Sequence, residues 1–154
     1  MMREIRRKDR IMKPEKMIKV LETQAYGILS TADAGGQPYG MPLSYVYTNG
    51  AIYFHSATEG HKLENLGENS KVSFCVVGQT CVLPDKFTTN YESVIAFGEA
   101  VEAEEEEKKQ ILMEILFKYS PEFLEKGKLY IENAAHKTKV YKIKIDHMTG
   151  KERA

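Results

Sequence analysis

Asn49–Gly50 separates two runs of β-forming residues, YGMPLSYVYT (39–48) and AIYFHSA (51–57). An Asn-Gly pair adopts the two positive-φ positions of a tight hairpin turn at low cost, and that turn matches the twist of the strands it joins. The two runs are therefore expected to be antiparallel neighbours, which commits the centre of the chain to a hairpin-built sheet. Other segments agree. YGILSTA (26–32) reads as a strand ending in DAGGQP, a turn rich in residues that tolerate positive φ. KVSFCVVG (71–78) reads as a buried strand. YESVIAFGEAVEA (91–103) sets Tyr91, Ser93, Ile95 and Phe97 against Val94, Ala96 and Gly98, and KVYKIKIDHMTGK (139–151) puts Tyr141, Ile143 and Ile145 on one face. Pro42 lacks an amide hydrogen, so the strand at 39–48 is expected to be irregular there or to lie on an edge.

Three helices are expected around these strands. The first starts at Pro14, a residue suited to a first helical turn, and carries Met17, Val20, Leu21 and Gln24–Ala25 on one face. A short one runs from Glu59 to Leu66 and ends at Gly67 as its C′ residue. The third covers 104–119, with Ile111, Leu112, Ile115, Leu116 and Tyr119 as its apolar stripe. The acidic run EAEEEEKK then reads as a helix start, where carboxylates meet the positive end of the dipole. The fold class is mainly β: an antiparallel six-stranded barrel of Greek-key type with peripheral helices. A chain of 154 residues suits one domain, with lead-in and helix over 1–25 and barrel over 26–151.

Charge excludes some functions. Lys plus Arg and Asp plus Glu both number 22, so no net charge draws the chain to nucleic acid or a membrane. The basic start MMREIRRKDR lacks interleaved aromatics and reads as a solvated or partner-docking lead-in. No apolar stretch approaches the ~20 residues of a membrane span and no apolar signal-peptide core is present, so a cytoplasmic protein is expected. Cys75 and Cys81 are not spaced as a C-x-x-C pair. In the cytosol they would stay reduced, Cys75 packing as a small hydrophobe.

The segment IYFHSATEGHKLENL (52–66) carries the chemistry. Ser56 and Thr58 offer hydroxyls, the amides of 58–61 should be free at a helix start, Gly60 permits close approach, and Lys62 adds a positive charge. His55 and His61 add further donors. These are the parts of an anion site, with phosphate the expected anion. The same residues also fit a plain helix cap with solvated His61 and Lys62. A metal site is not expected, because no carboxylate spacing completes a ligand set.

The order of Tyr26-Gly27, Pro38-Tyr39, Pro42-Leu43, YFHSATEGHK and NYESVIAFGEA resembles the pyridoxamine 5′-phosphate oxidase-like family of FMN-binding split barrels, and within it the nitroimidazole-resistance (Nim-type) branch. The resemblance runs from about Arg6 to Lys151. It implies a homodimer with FMN at the interface, the phosphate held at His55, Ser56, His61 and Lys62. It also implies that Met41, Pro42, Leu43 and Ser44 lay their backbone along the flavin ring, the alternative being that Pro42 marks an ordinary edge bulge. Asn90, Tyr91 and Ser93 would approach the flavin, across the dimer interface or as plain strand residues, and Lys151 would lie nearby. The chain departs from true pyridoxamine-phosphate oxidases by ending MTGKERA, without the Arg-Leu-x-Pro substrate motif. The expected activity is transfer of electrons from a reduced nicotinamide or another donor to a small acceptor such as a nitroaromatic. No residue is marked as a catalytic acid or base. The alternative is a non-enzymatic flavin- or haem-binding module, with His55, His61 or His136 as iron ligand.

Overall fold

The computed structural model describes residues 2–154. In chain order its elements are α1 (Pro14–Thr23), β1 (Gly27–Ala32), β2 (Pro38–Leu43), β3 (Val46–Thr48), β4 (Ala51–Ser56), α2 (His61–Glu68), β5 (Lys71–Leu83), β6 (Thr88–Glu102), α3 (Glu105–Tyr119), α4 (Leu124–Ala134) and β7 (Lys139–Arg153). The seven strands form one antiparallel sheet in the order β2-β1-β5-β6-β7-β4-β3. Asn49 and Gly50 both take positive φ, 53° and 72°, and join β3 to β4 as their sequence dictates.

The sheet has seven strands where the sequence suggests six, and the reason lies in one run. The stretch 39–48 is interrupted at Ser44–Tyr45. Its first part pairs with β1, Leu43 opposite Gly27, and its second part pairs with β4, Val46 opposite Tyr53. One bent segment therefore supplies both edges of the sheet and links them covalently. Pro42 lies on the edge strand β2, where a missing donor is tolerated.

Two apolar clusters explain why β4 is buried on both faces. Ile52 and Phe54 face the barrel interior with Leu29, Tyr45, Phe74, Val76, Val94 and Ile143. Met17, Val20 and Leu21 of α1 close one end of that core, as their spacing requires. Ala51 and Tyr53 point the other way, onto Ile111 and Leu112 of α3.

Three helices differ from the sequence expectation. The first ends at Thr23 with Gln24 as its C-cap, so Gln24–Ala25 lie outside it rather than on its apolar face. The second starts at His61 rather than Glu59 and continues through Gly67 to Glu68, with Asn69 as C-cap. Gly67 is therefore inside the helix and not its C′ residue. Helix α4 is absent from the sequence reading altogether. None of its side chains is fully buried, and Gly127 interrupts its pattern. That glycine lies against the Leu116 side chain of α3, where an added Cβ would collide.

Candidate functional site

Strand β4 ends at Ser56, and α2 begins five residues later, after Gly60. Gly60 has φ 140°, a conformation costly for any residue with a side chain, and nothing lies within 4 Å of where its Cβ would be. No side chain caps α2. The Glu64 amide donates to the Gly60 carbonyl at 3.0 Å, so the amides of 61–63 precede the first intrahelical bond. The free donors thus lie at 61–63, shifted from the 58–61 expected, because the helix starts later.

Lys62 places its ammonium 5.5 Å from the centroid of the Phe54 ring. Burial holds its pKa below the ordinary lysine value. His55 is held below its ordinary value too, first by the protein packed around it and then by the nearby Lys62 charge. The side chain is nonetheless exposed to solvent on its outer side. His61 stacks on Tyr39 of β2, centroids 4.0 Å apart and planes 25° apart. An open helix start, a close-approach glycine and an ammonium that has no carboxylate partner among the described residues form a fit for a phosphate-bearing group.

The turn is docked by a buried polar relay. Asn65 of α2 donates to the Thr31 hydroxyl at 3.0 Å, and that hydroxyl donates to the Tyr39 carbonyl at 3.3 Å. Asn65 and Thr31 are both buried. Neither they nor Tyr39 is marked in the sequence as a site residue. A lone Asn in an apolar helix face is the signal that could have pointed to the relay.

The structure divides the other candidate residues into two groups. Met41 and Leu43 turn inward against the core, whereas Pro42 and Ser44 are exposed. Met41, Pro42 and Leu43 continue along β2 from Tyr39, and Ser44 follows them at the bend. Ser56 is buried and His55 is not, so the two side chains leave β4 on opposite faces. Asn90, Tyr91, Ser93 and Lys151 gather elsewhere. Ser93 lies opposite Lys151, Tyr91 opposite Arg153, and the Asn90 side-chain oxygen accepts from Arg153 at 2.5 Å. On β7, Val140 is the partner of His55 and Lys151 the partner of Ser93. Eleven residues separate them, about 36 Å of extended chain. The two groups therefore lie toward opposite ends of β7.

His55 also ends an apolar groove of about 550 Å³ between α3 and α4, walled by Leu116, Tyr119, Phe123 and Tyr130. His136 is exposed, in a short turn after α4. Among the described residues no three His, Cys, Asp or Glu side chains are grouped to hold a metal ion. No helix among them is long and apolar enough to cross a membrane.

The family model for pyridoxamine 5′-phosphate oxidase matches residues 13–152. The chain belongs to that family. Among solved structures it is similar to a candidate 5-nitroimidazole antibiotic resistance protein from Bacteroides thetaiotaomicron, at 26% identity and TM-score 0.78, covering 92% of this chain and 85% of that one. It is also similar to an FAD-binding protein from Mesorhizobium loti, at 22% identity and TM-score 0.70, covering 94% and 98%. A third is the flavocytochrome Anf3 from Azotobacter vinelandii, at 18% identity and TM-score 0.78, covering 92% and 68%. The last two likenesses concern the fold alone. The comparison with curated proteins found no match. Membership in the pyridoxamine 5′-phosphate oxidase family agrees with the split-barrel fold, whose open sheet is joined by the bend at Ser44–Tyr45.

Proposed function

We propose that this family member is a homodimeric, cytoplasmic FMN-binding oxidoreductase that reduces a small acceptor such as a nitroaromatic. The observation that carries the reading is the uncapped start of α2 beside Gly60 and Lys62. A helix N-terminus and one ammonium suit a terminal phosphate monoester, which is close to dianionic at neutral pH. That chemistry favours a mononucleotide over a dinucleotide, whose phosphates are internal. Bound FMN would supply the electron-transfer chemistry, and the protein would supply position and environment.

In this reading Lys62 and the 61–63 amides hold the phosphate, with His55, Ser56 and His61 around it. The outer edge of 41–44 supports the ring. Asn90, Tyr91, Ser93 and Lys151 close the site from a second protomer, which their separation from the turn on one chain supports. The likeness to a candidate nitroimidazole-resistance protein supports the choice of acceptor.

The test is titration of the purified protein with FMN, FAD and haem in parallel, followed by visible spectra. FMN should bind tightest, and the bound flavin should be reduced by a nicotinamide and reoxidised by a nitroaromatic. A flavin that binds but passes no electrons would make the protein a passive flavin module. A haem spectrum would favour a second reading, in which His55 ligates iron from the end of the apolar groove.

A further inference from the structure

Ser44 and Tyr45 lie between β2 and β3, so the Tyr45 backbone has no strand partner. Both of its polar groups are nevertheless satisfied, and both by the end of α3. The Tyr45 amide donates to the Tyr119 hydroxyl at 3.0 Å. The Tyr45 carbonyl accepts from the Lys118 ammonium at 2.8 Å. A phenol has one proton to give. The Tyr119 hydroxyl lies 2.6 Å from the Ala25 carbonyl and 3.0 Å from the Tyr45 carbonyl, and the shorter contact takes the proton. Lys118 is then the donor that holds the Tyr45 carbonyl.

The same ammonium sits 3.9 Å from the centroid of the Tyr45 ring. That ring is fully buried, meets Phe74 edge-on at 5.0 Å, and donates its own hydroxyl to the Leu21 carbonyl at 2.6 Å. Tyr45 is thereby fixed at both ends of its side chain and at both backbone groups. Its predecessors 41–44 are the segment assigned to the flavin ring.

We propose that Lys118 and Tyr119 are positioning residues that set the placement of the ring-supporting segment 41–44 by clamping the Tyr45 backbone. This inference rests on the FMN reading above. It gives α3 a role beyond covering β4: its last turn braces the bend from which the ring-supporting strand departs. The groups facing the Lys118 ammonium are the Tyr45 ring and carbonyl from the β2–β3 bend and the Tyr119 ring, 5.1 Å away, from α3. Burial pushes the ammonium down to about 8, so the clamp changes charge near that pH.

The experiment uses FMN-loaded wild type, Lys118→Met, Lys118→Arg and Tyr119→Phe, with Lys62→Ala as the control for the cofactor site. Lys118→Met keeps the aliphatic bulk and should melt within about 4 °C of wild type. It should bind FMN within about threefold, because the phosphate anchor is intact. Its visible circular dichroism, which reports the ring's surroundings, should change, and its flavin potential should lose an inflection near pH 8 that wild type shows. Lys118→Arg should restore the dichroism, and Tyr119→Phe should alter it in the same sense as Lys118→Met. Unchanged dichroism and an unchanged potential–pH curve in Lys118→Met, with only the melting temperature altered, would overturn the clamp while leaving the FMN site standing. Absence of FMN binding in wild type, or binding indifferent to Lys62→Ala, would overturn the site and the clamp together.

Discussion

Lys62 is the residue on which the phosphate site turns. Its ammonium is partly buried against Phe54 and makes no ion pair among the described residues. Lys62→Ala should weaken FMN binding by about 1–3 kcal/mol, the scale of a lost charged hydrogen bond. A fluorescence titration checks this, and an unchanged affinity would remove Lys62 from the site. His55 gives a second outcome. Its pKa is lowered in the folded chain, so below the ordinary histidine value the unfolded chain binds the proton more readily. The ligand-free protein should therefore lose stability as pH falls through about 6.5 and on toward the folded value. His55→Gln should flatten that part of the melting-temperature curve. The residues of this turn are visible in the sequence because their chemistry is concentrated in eight positions. Tyr39, Thr31 and Asn65 are not, because the relay between them exists only after α2 docks on β1 and β2.

Among the elements, strands were the most legible. Alternation along 91–103 sets Val94, Ala96 and Gly98 against Tyr91, Ser93, Ile95 and Phe97, and the structure decides between the two faces by burying the first three. The break at Ser44–Tyr45 was hidden because the β-forming pattern runs straight through it, and only the change of partner from β1 to β4 reveals it. Helix α4 was hidden for the opposite reason, having too little buried surface to write a stripe. Its attachment depends on the close approach of Gly127 to Leu116. Gly127→Val should cost about 1–3 kcal/mol through overpacking. Amide exchange should quicken over 124–134 while β4–β7 stays protected. Uniformly unchanged exchange would show that the contact does not hold α4.

For the whole molecule, the separation of the turn at 55–62 from the group around Ser93 and Lys151 is decisive. If a complete site draws on two protomers, variants damaged in different halves should complement. A mixture of Lys62→Ala and Tyr91→Ala chains, unfolded and refolded together at equal amounts, should regain tight FMN binding in about one quarter of its sites. Half of the dimers would be mixed, and each would carry one undamaged site. Recovery of none would show that each site is built within one chain. The sequence could suggest both halves through resemblance, but spacing along a chain carries no information on which copy supplies each.

The bend at Ser44–Tyr45 leaves β2 as an outer strand, the kind of exposed border along which proteins can recruit a foreign strand and aggregate. Pro38 and Pro42 stand four residues apart on that border, so their missing donors fall on the same side. The border is therefore a poor template for further strand addition.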